Sequence, residues 1–293
     1  ANPPCIHARP RDTGIMARHL ILPASGLVQI STDVHGNAED FAALEDHFLS
    51  LRDSGVDAHW VILGDIVHAP DAQARDEQPD LYDFPDGSMA IADRILALQI
   101  AHPGRVHFVL GNHDHAHVGG PRVGKFYADE AAELESTLTS AQIQRLHGLF
   151  QRALFAVAAP CGALLTHGVP DTTLLDLRLL EDIPLRVEDM SATQRAVMRP
   201  LLTSYGQQNA TAATLLSQLS AAHGLRLGVV IHGHDRDVDG FFREGEHQLC
   251  PCLFGAPRPN KRFVLLDLAA YYPNVHALRD GHEIRRLFPG APQ

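Results

Sequence analysis

Val106-His107-Phe108-Val109-Leu110-Gly111-Asn112-His113-Asp114, with His115 and His117 just beyond, is the stretch on which the fold of this chain turns. Residues 106–110 form a short, mostly apolar run that reads as a buried strand. The run ends abruptly at a glycine, and polar side chains able to bind metal or move protons follow it. Ligands in open α/β sheets bind outside the carboxyl ends of the strands, so groups placed just after a strand are positioned to share one site. Four other strand ends have the same character: Asp33-Val34-His35-Gly36-Asn37 after residues 27–31, Gly64-Asp65 after 59–63, His167-Gly168 after 163–166, and His232-Gly233-His234 after 228–231. Five such ends point to a metal centre.

Composition bounds the rest. At 293 residues and 45% hydrophobic the chain can bury a large core, and one globular domain over 24–293 is expected behind a partly ordered arm over 1–23. No apolar run approaches the ~20 residues of a membrane helix, and residues 1–14 lack the apolar centre of a signal peptide. No membrane association and a cytoplasmic location are therefore expected. A formal charge of −11 opposes binding to a phosphate backbone, so no nucleic-acid surface is expected. Cys5, Cys161, Cys250 and Cys252 are too sparse for a disulfide framework and lack zinc-ribbon spacing. Nineteen histidines are the outlier.

Along the chain, Phe41, Leu44, Phe48 and Leu51 recur at helical spacing up to Gly55, completing a strand, turn, helix, strand unit. Residues 66–86 read as an acidic, proline-containing insertion that hangs beside the site. Helices are predicted over 89–101, 127–138 and 210–222, with breaks at Pro184, Pro200 and Gly206, and a closing hairpin near Asp280-Gly281.

Two divalent ions held close together need a bridging carboxylate, with carboxylate, imidazole and amide groups completing each shell. Asp33 and His35 can reach one ion and Asp65 is placed to bridge. Asn112, His167 and His234 complete a second ion.

Asp-x-His, Gly-Asp, Gly-Asn-His-Asp and two later histidines resemble the pattern of calcineurin-like metallophosphoesterases, and among these the phosphoprotein phosphatase branch, with its GDxHG, GDxVDRG, GNHE and HGG motifs. The likeness extends to Gly124-Lys125-Phe126-Tyr127-Ala128-Asp129-Glu130, similar to YGFYDE, to Thr166-His167-Gly168-Val169-Pro170-Asp171, similar to HGGLSPD, and to Leu253-Phe254-Gly255-Ala256-Pro257, similar to LFSAPNY. The resemblance implies an α/β fold, a four-layer αββα sandwich of two mixed β-sheets flanked by helices. It implies hydrolysis of phosphomonoesters through attack by a metal-bridging hydroxide. His113 is implied as proton donor to the leaving alkoxide, and Asp114, where the family has Glu, as the second catalytic residue. Manganese suits the ligands, as do iron, zinc and cobalt.

The departures are specific. Gly64-Asp65-Ile66-Val67-His68-Ala69-Pro70 lacks both the Asp that orients the catalytic His in the family and a phosphate-binding Arg, and His232 replaces a second Arg. Candidates to hold phosphate are His68, His232, Arg122, Lys125, Arg236 and Arg258. Alternatively His232 and His234 both ligate metal. If the two imidazoles bind phosphate as cations, affinity weakens as pH rises past ~6.5. Three readings of function follow: a phosphatase of phosphoserine, phosphothreonine or phosphotyrosine in proteins; a phosphoesterase of nucleotides, diadenosine polyphosphates or other small phosphoesters; and a non-catalytic binding module. Oligomeric state is not legible at this level.

Overall fold

The computed structural model describes residues 17–291. Among these, two mixed sheets stack face to face. In spatial order the first holds strands Ile284–Arg286, Arg262–Asp267, Leu27–Ser31, Ala58–Ile62 and Val106–Phe108; the last three run parallel and Arg262–Asp267 is antiparallel to both its neighbours. The second holds His19–Ile21, Ala156–Ala159, Ala163–Leu165, Val229–Ile231, Gln248–Pro251 and Phe241–Glu244.

Strand alternation builds the layers. Val28, Ile30, Val61, Leu63 and Val109 point inward to meet Val157, Leu165, Val229 and Ile231 of the second sheet. Trp60, Ile62 and Phe108 point outward, where Phe41, Leu44 and Phe48 of helix Ala38–Asp53 and Ile91, Ile95 and Leu98 of helix Ser88–Ala101 cover them. Each such side chain, once fully buried, contributes ~1.5–3 kcal/mol. Ala156, Ala158, Leu164 and Val230 share an apolar cluster with Leu215, Leu216 and Leu219 of helix Asn209–His223. The result is the expected αββα sandwich. None of the described helices is long and apolar enough to cross a membrane.

Several expectations change. The stretch read as an arm supplies an edge strand, His19–Ile21, parallel to Ala156–Ala159, while residues 1–16 lie outside the described residues. Residues 66–86 are more than a hanging loop: they carry helices Ala72–Glu77 and Pro79–Tyr82, and Tyr82 is fully buried against Phe126 and Phe254. The helix predicted over 127–138 is only Glu130–Ser136. Pro200 sits inside helix Ala192–Thr203 without breaking it, one turn before the helix ends, and its carbonyl accepts from the capping Ser204 N. Gly281 makes a turn (φ 82°), but the strand after it pairs with Arg262–Val264 in place of a local hairpin partner. Cys161, Cys250 and Cys252 are buried free thiols.

Candidate metal centre

All five strand ends meet. Asp33 and His35 follow Leu27–Ser31, Asp65 follows Ala58–Ile62, and Asn112 opens helix Asn112–Ala116 behind Val106–Phe108. His167 follows Ala163–Leu165 and His234 follows Val229–Ile231, so both sheets contribute. Asp65 Oδ2 lies 3.8 Å from His35 Nε2 on one side and 3.5 Å from His167 Nε2 on the other. His35 Nε2 is 3.5 Å from Asp33 Oδ1. Asn112 Oδ1 is 3.0 Å from His167 Nε2 and 2.8 Å from His234 Nδ1. Two groups able to hold an ion, Asp33 with His35 and Asp65, and Asp65 with His167 and His234, therefore share one carboxylate.

The surroundings fit cations. Asp33 and Asp65 are 3% and 1% exposed, and among the described residues neither pairs with Lys or Arg. A buried carboxylate without a counter-charge is costly. Burial foremost, with the charges of Asp33 and Asp114, pushes the Asp65 carboxyl well above its ordinary range despite His113. Asp33, His35, Asp65 and His234, with φ of 50°, 43°, 51° and 65°, are the non-glycine residues in the left-handed region among those described. Such conformations cost of order 1–3 kcal/mol each and persist where the surroundings over-determine them.

Hydrogen bonds hold the constellation rigid. His167 Nδ1 donates to Leu63 O at 2.7 Å, which orients the ring and turns Nε2 toward Asp65 as the nitrogen able to meet an ion. Asp33 Oδ2 accepts from His234 N at 3.0 Å and from the Thr32 hydroxyl. A Cβ on Gly111 would strike Asp65, so only glycine lets the two strand ends approach. Asp114 is fully buried, and its carboxylate accepts from Gly111 N (2.9 Å), Asp65 N (2.8 Å) and Ile66 N (3.1 Å). It positions two strand ends and does not reach the cleft, which corrects its expected catalytic role.

His113 Nδ1 stands 3.1 Å from Glu130 Oε2, and its backbone N donates to Asp65 Oδ1 at 3.0 Å. Burial alone would lower the His113 pKa, but the Asp65 charge and the Glu130 hydrogen bond raise it above its ordinary value. Glu130 Oε1 accepts from Lys125 N (2.6 Å) and Phe126 N (3.1 Å), latching the segment before its helix. Glu130 was not among the residues singled out from sequence, although the Asp129-Glu130 pair lies in a motif that was.

The calcineurin-like phosphoesterase family model matches residues 28–235, more than half the chain. The chain belongs to this family. Its members are dinuclear metal-dependent hydrolases of phosphoric esters, and the His/Asp clusters here could hold metals. The fold of this phosphoesterase is similar to that of a protein serine/threonine phosphatase from Saccharomyces cerevisiae with similarity to human phosphatase PP5, with TM-score 0.55, 14% identity, and 86% of this chain and 76% of that chain covered. It is also similar to the cold-active protein-tyrosine phosphatase of a psychrophile, Shewanella sp., with TM-score 0.53, 14% identity, and coverage of 87% and 78%. At these identities the likeness is one of fold. No curated protein matches in sequence.

The cleft of the phosphoesterase, about 370 Å³, is lined by Asp33, His35, Asp65, Asn112, His113 and His234 together with Lys125, Arg236, Tyr205 and Phe254. Lys125 Nζ lies 4.8 Å from the Phe254 ring centre, and Tyr205 stacks on His234 at 4.6 Å. The other phosphate candidates lie elsewhere. Arg258 pairs with Glu39 at 2.5 Å and covers Phe288, and Arg122 is largely exposed and paired with Asp129 at 3.2 Å. His232 is fully buried with Nδ1 on Gly233 O at 2.9 Å; burial pushes its pKa down to about 4, and it joins none of the metal-competent clusters among the described residues. His68 is buried between His35 and His113, and burial first, then those two rings, hold its pKa well below the usual value. Neither imidazole is placed as an accessible phosphate-binding cation, so the expected pH-dependent phosphate grip fails on burial.

Proposed function

We propose that this phosphoesterase is a metal-dependent phosphomonoesterase acting on phosphorylated protein, at serine, threonine or tyrosine. The observation that carries the chemistry is Asp65 set between two ligand groups with the His113–Glu130 pair beside it. Asp33, His35 and Asp65 would hold one divalent ion, and Asp65, Asn112, His167 and His234 the other, with manganese as the proposed metal and iron, zinc or cobalt as chemical equivalents. When bound, such ions supply an activated water and neutralise phosphoryl charge. His113 keeps Nδ1–H on Glu130 and delivers the Nε2 proton to the leaving alkoxide oxygen. Lys125 and Arg236, the cations lining the cleft, hold phosphoryl oxygens in place of the absent family arginines. The choice of protein substrate follows the descriptions of the two fold neighbours as protein phosphatases. A panel of phosphoserine, phosphothreonine and phosphotyrosine peptides beside nucleotides and diadenosine polyphosphates, assayed with manganese, tests it. Preferred turnover of peptides is expected. Preference for nucleotides would replace the substrate, and no hydrolysis of any phosphomonoester would refute the chemistry.

A further inference from the structure

A second imidazole and carboxylate cluster lies apart from the Asp65 cleft. His117 Nδ1 and His147 Nε2 each stand 2.7 Å from the same atom, Glu135 Oε1. The potential ligand atoms of these three residues all lie within 4.8 Å of one another. The His117 side chain is 2% exposed, whereas Glu135 and His147 are 25% and 30% exposed. The group opens on a cavity of about 490 Å³ that His117, His147, Val118, Gln151 and Leu185 help to line. Two guanidinium groups border that cavity, yet both are committed elsewhere: Arg18 Nη1 donates to Gln151 O and Ala153 O, and Arg186 pairs with Glu188. Among the described residues no Lys or Arg pairs with Glu135.

We propose that His117, Glu135 and His147 form a separate binding site for one borderline divalent ion of the zinc type. Two imidazole nitrogens and one carboxylate oxygen are the donor set such ions select, while calcium and magnesium demand oxygen shells. Three protein ligands beside an open cavity leave room for water as a fourth. The site joins three segments: His117 caps helix Asn112–Ala116, Glu135 lies in Glu130–Ser136, and His147 in Ser140–Gln151. The first two also carry His113 and Glu130 nearer their beginnings. An ion at the far ends therefore bolts together the two segments whose near ends make the His113–Glu130 contact, which makes it a positioning device. This inference does not depend on the substrate assigned above.

The test is zinc content after equilibration of the intact chain in zinc buffer, compared between wild type, Glu135→Gln and His147→Gln. Each variant is expected to hold one ion fewer per chain than wild type, with the ions around Asp65 retained. Equal ion content in wild type and both variants overturns the site. Anomalous scattering from wild-type crystals grown with zinc gives a reading independent of whether the variants fold. A peak among His117, Glu135 and His147 is expected, and anomalous density confined to the Asp65 cleft overturns the proposal.

Discussion

Glu130 Oε2 and His113 Nδ1 are 3.1 Å apart, and the carboxylate comes from a different segment than the Asp expected from the family motif, whose position His68 fills. His68 Nδ1 is itself 3.7 Å from Glu130 Oε2, so one carboxylate serves the region where the family pattern has a separate acid. Replacing Glu130→Gln should lower kcat on alkyl phosphoesters by about 10²-fold, the low end of what general acid–base catalysis contributes. Metal content and KM should barely change, because an amide oxygen can still accept from Lys125 N and Phe126 N. Steady-state kinetics with metal analysis checks this; unaltered kcat would remove Glu130 from the mechanism.

Changing His113→Asn should slow alkyl ester hydrolysis by ~10²–10⁴ while leaving metal binding nearly intact. Aryl phosphates, with better leaving groups, should lose much less. Parallel assays on the two substrate types decide it, and equal losses would mean that His113 does something other than protonate the leaving group.

Lys125 and Arg236 line the cleft while Arg258 is tied to Glu39. Lys125→Ala or Arg236→Ala should raise KM by ~10–100-fold, since a hydrogen bond to a charged group is worth about 1.5–3 kcal/mol. Arg258→Ala should leave KM near wild type. Initial-rate measurements on one peptide across the three variants test the assignment, which a KM rise confined to Arg258→Ala would reverse.

His59 and His107 carry a pH dependence of stability. Arg105 Nη1 donates to His59 Nε2 at 2.7 Å, and His59 Nδ1 meets His107 Nε2 at 3.2 Å, so protonating either ring disrupts the chain of donors. Burial, then Arg105 for His59 and His59 for His107, lowers both pKa values to about 4 from 6.5. The unfolded chain binds more protons between these values. The stabilisation is thus complete above pH 6.5 and lost as pH falls toward about 4. His107→Phe should narrow the difference in urea midpoint between pH 7 and pH 5. A difference as large as in wild type would show that the pair does not titrate this way.

What the sequence made legible follows from burial. Leu27–Ser31 was read with its observed bounds because an apolar run ending in a polar turn leaves little freedom. The same contrast exposed Asp33, His35, Asp65, Asn112, His167 and His234. His19–Ile21 was missed because a three-residue edge strand takes its identity from a distant partner, Ala156–Ala159. His232 was misplaced because it stands where the family pattern has an arginine, and that position says nothing of how deeply the ring is buried. His234 adopts φ 65° and lines the cleft, while His232 stays fully buried. Asp114 misled because nothing local announces that its carboxylate turns back onto three backbone N–H groups. Glu130 was invisible because its role depends on a contact across the fold.

Bound manganese per chain in Asp65→Asn, measured beside phosphate release from a phosphopeptide, tests the shared-carboxylate metal centre most directly. Asp65 faces both ligand groups, so the variant should lose metal from both and show no hydrolysis above background. A full metal complement with wild-type turnover in Asp65→Asn would contradict it.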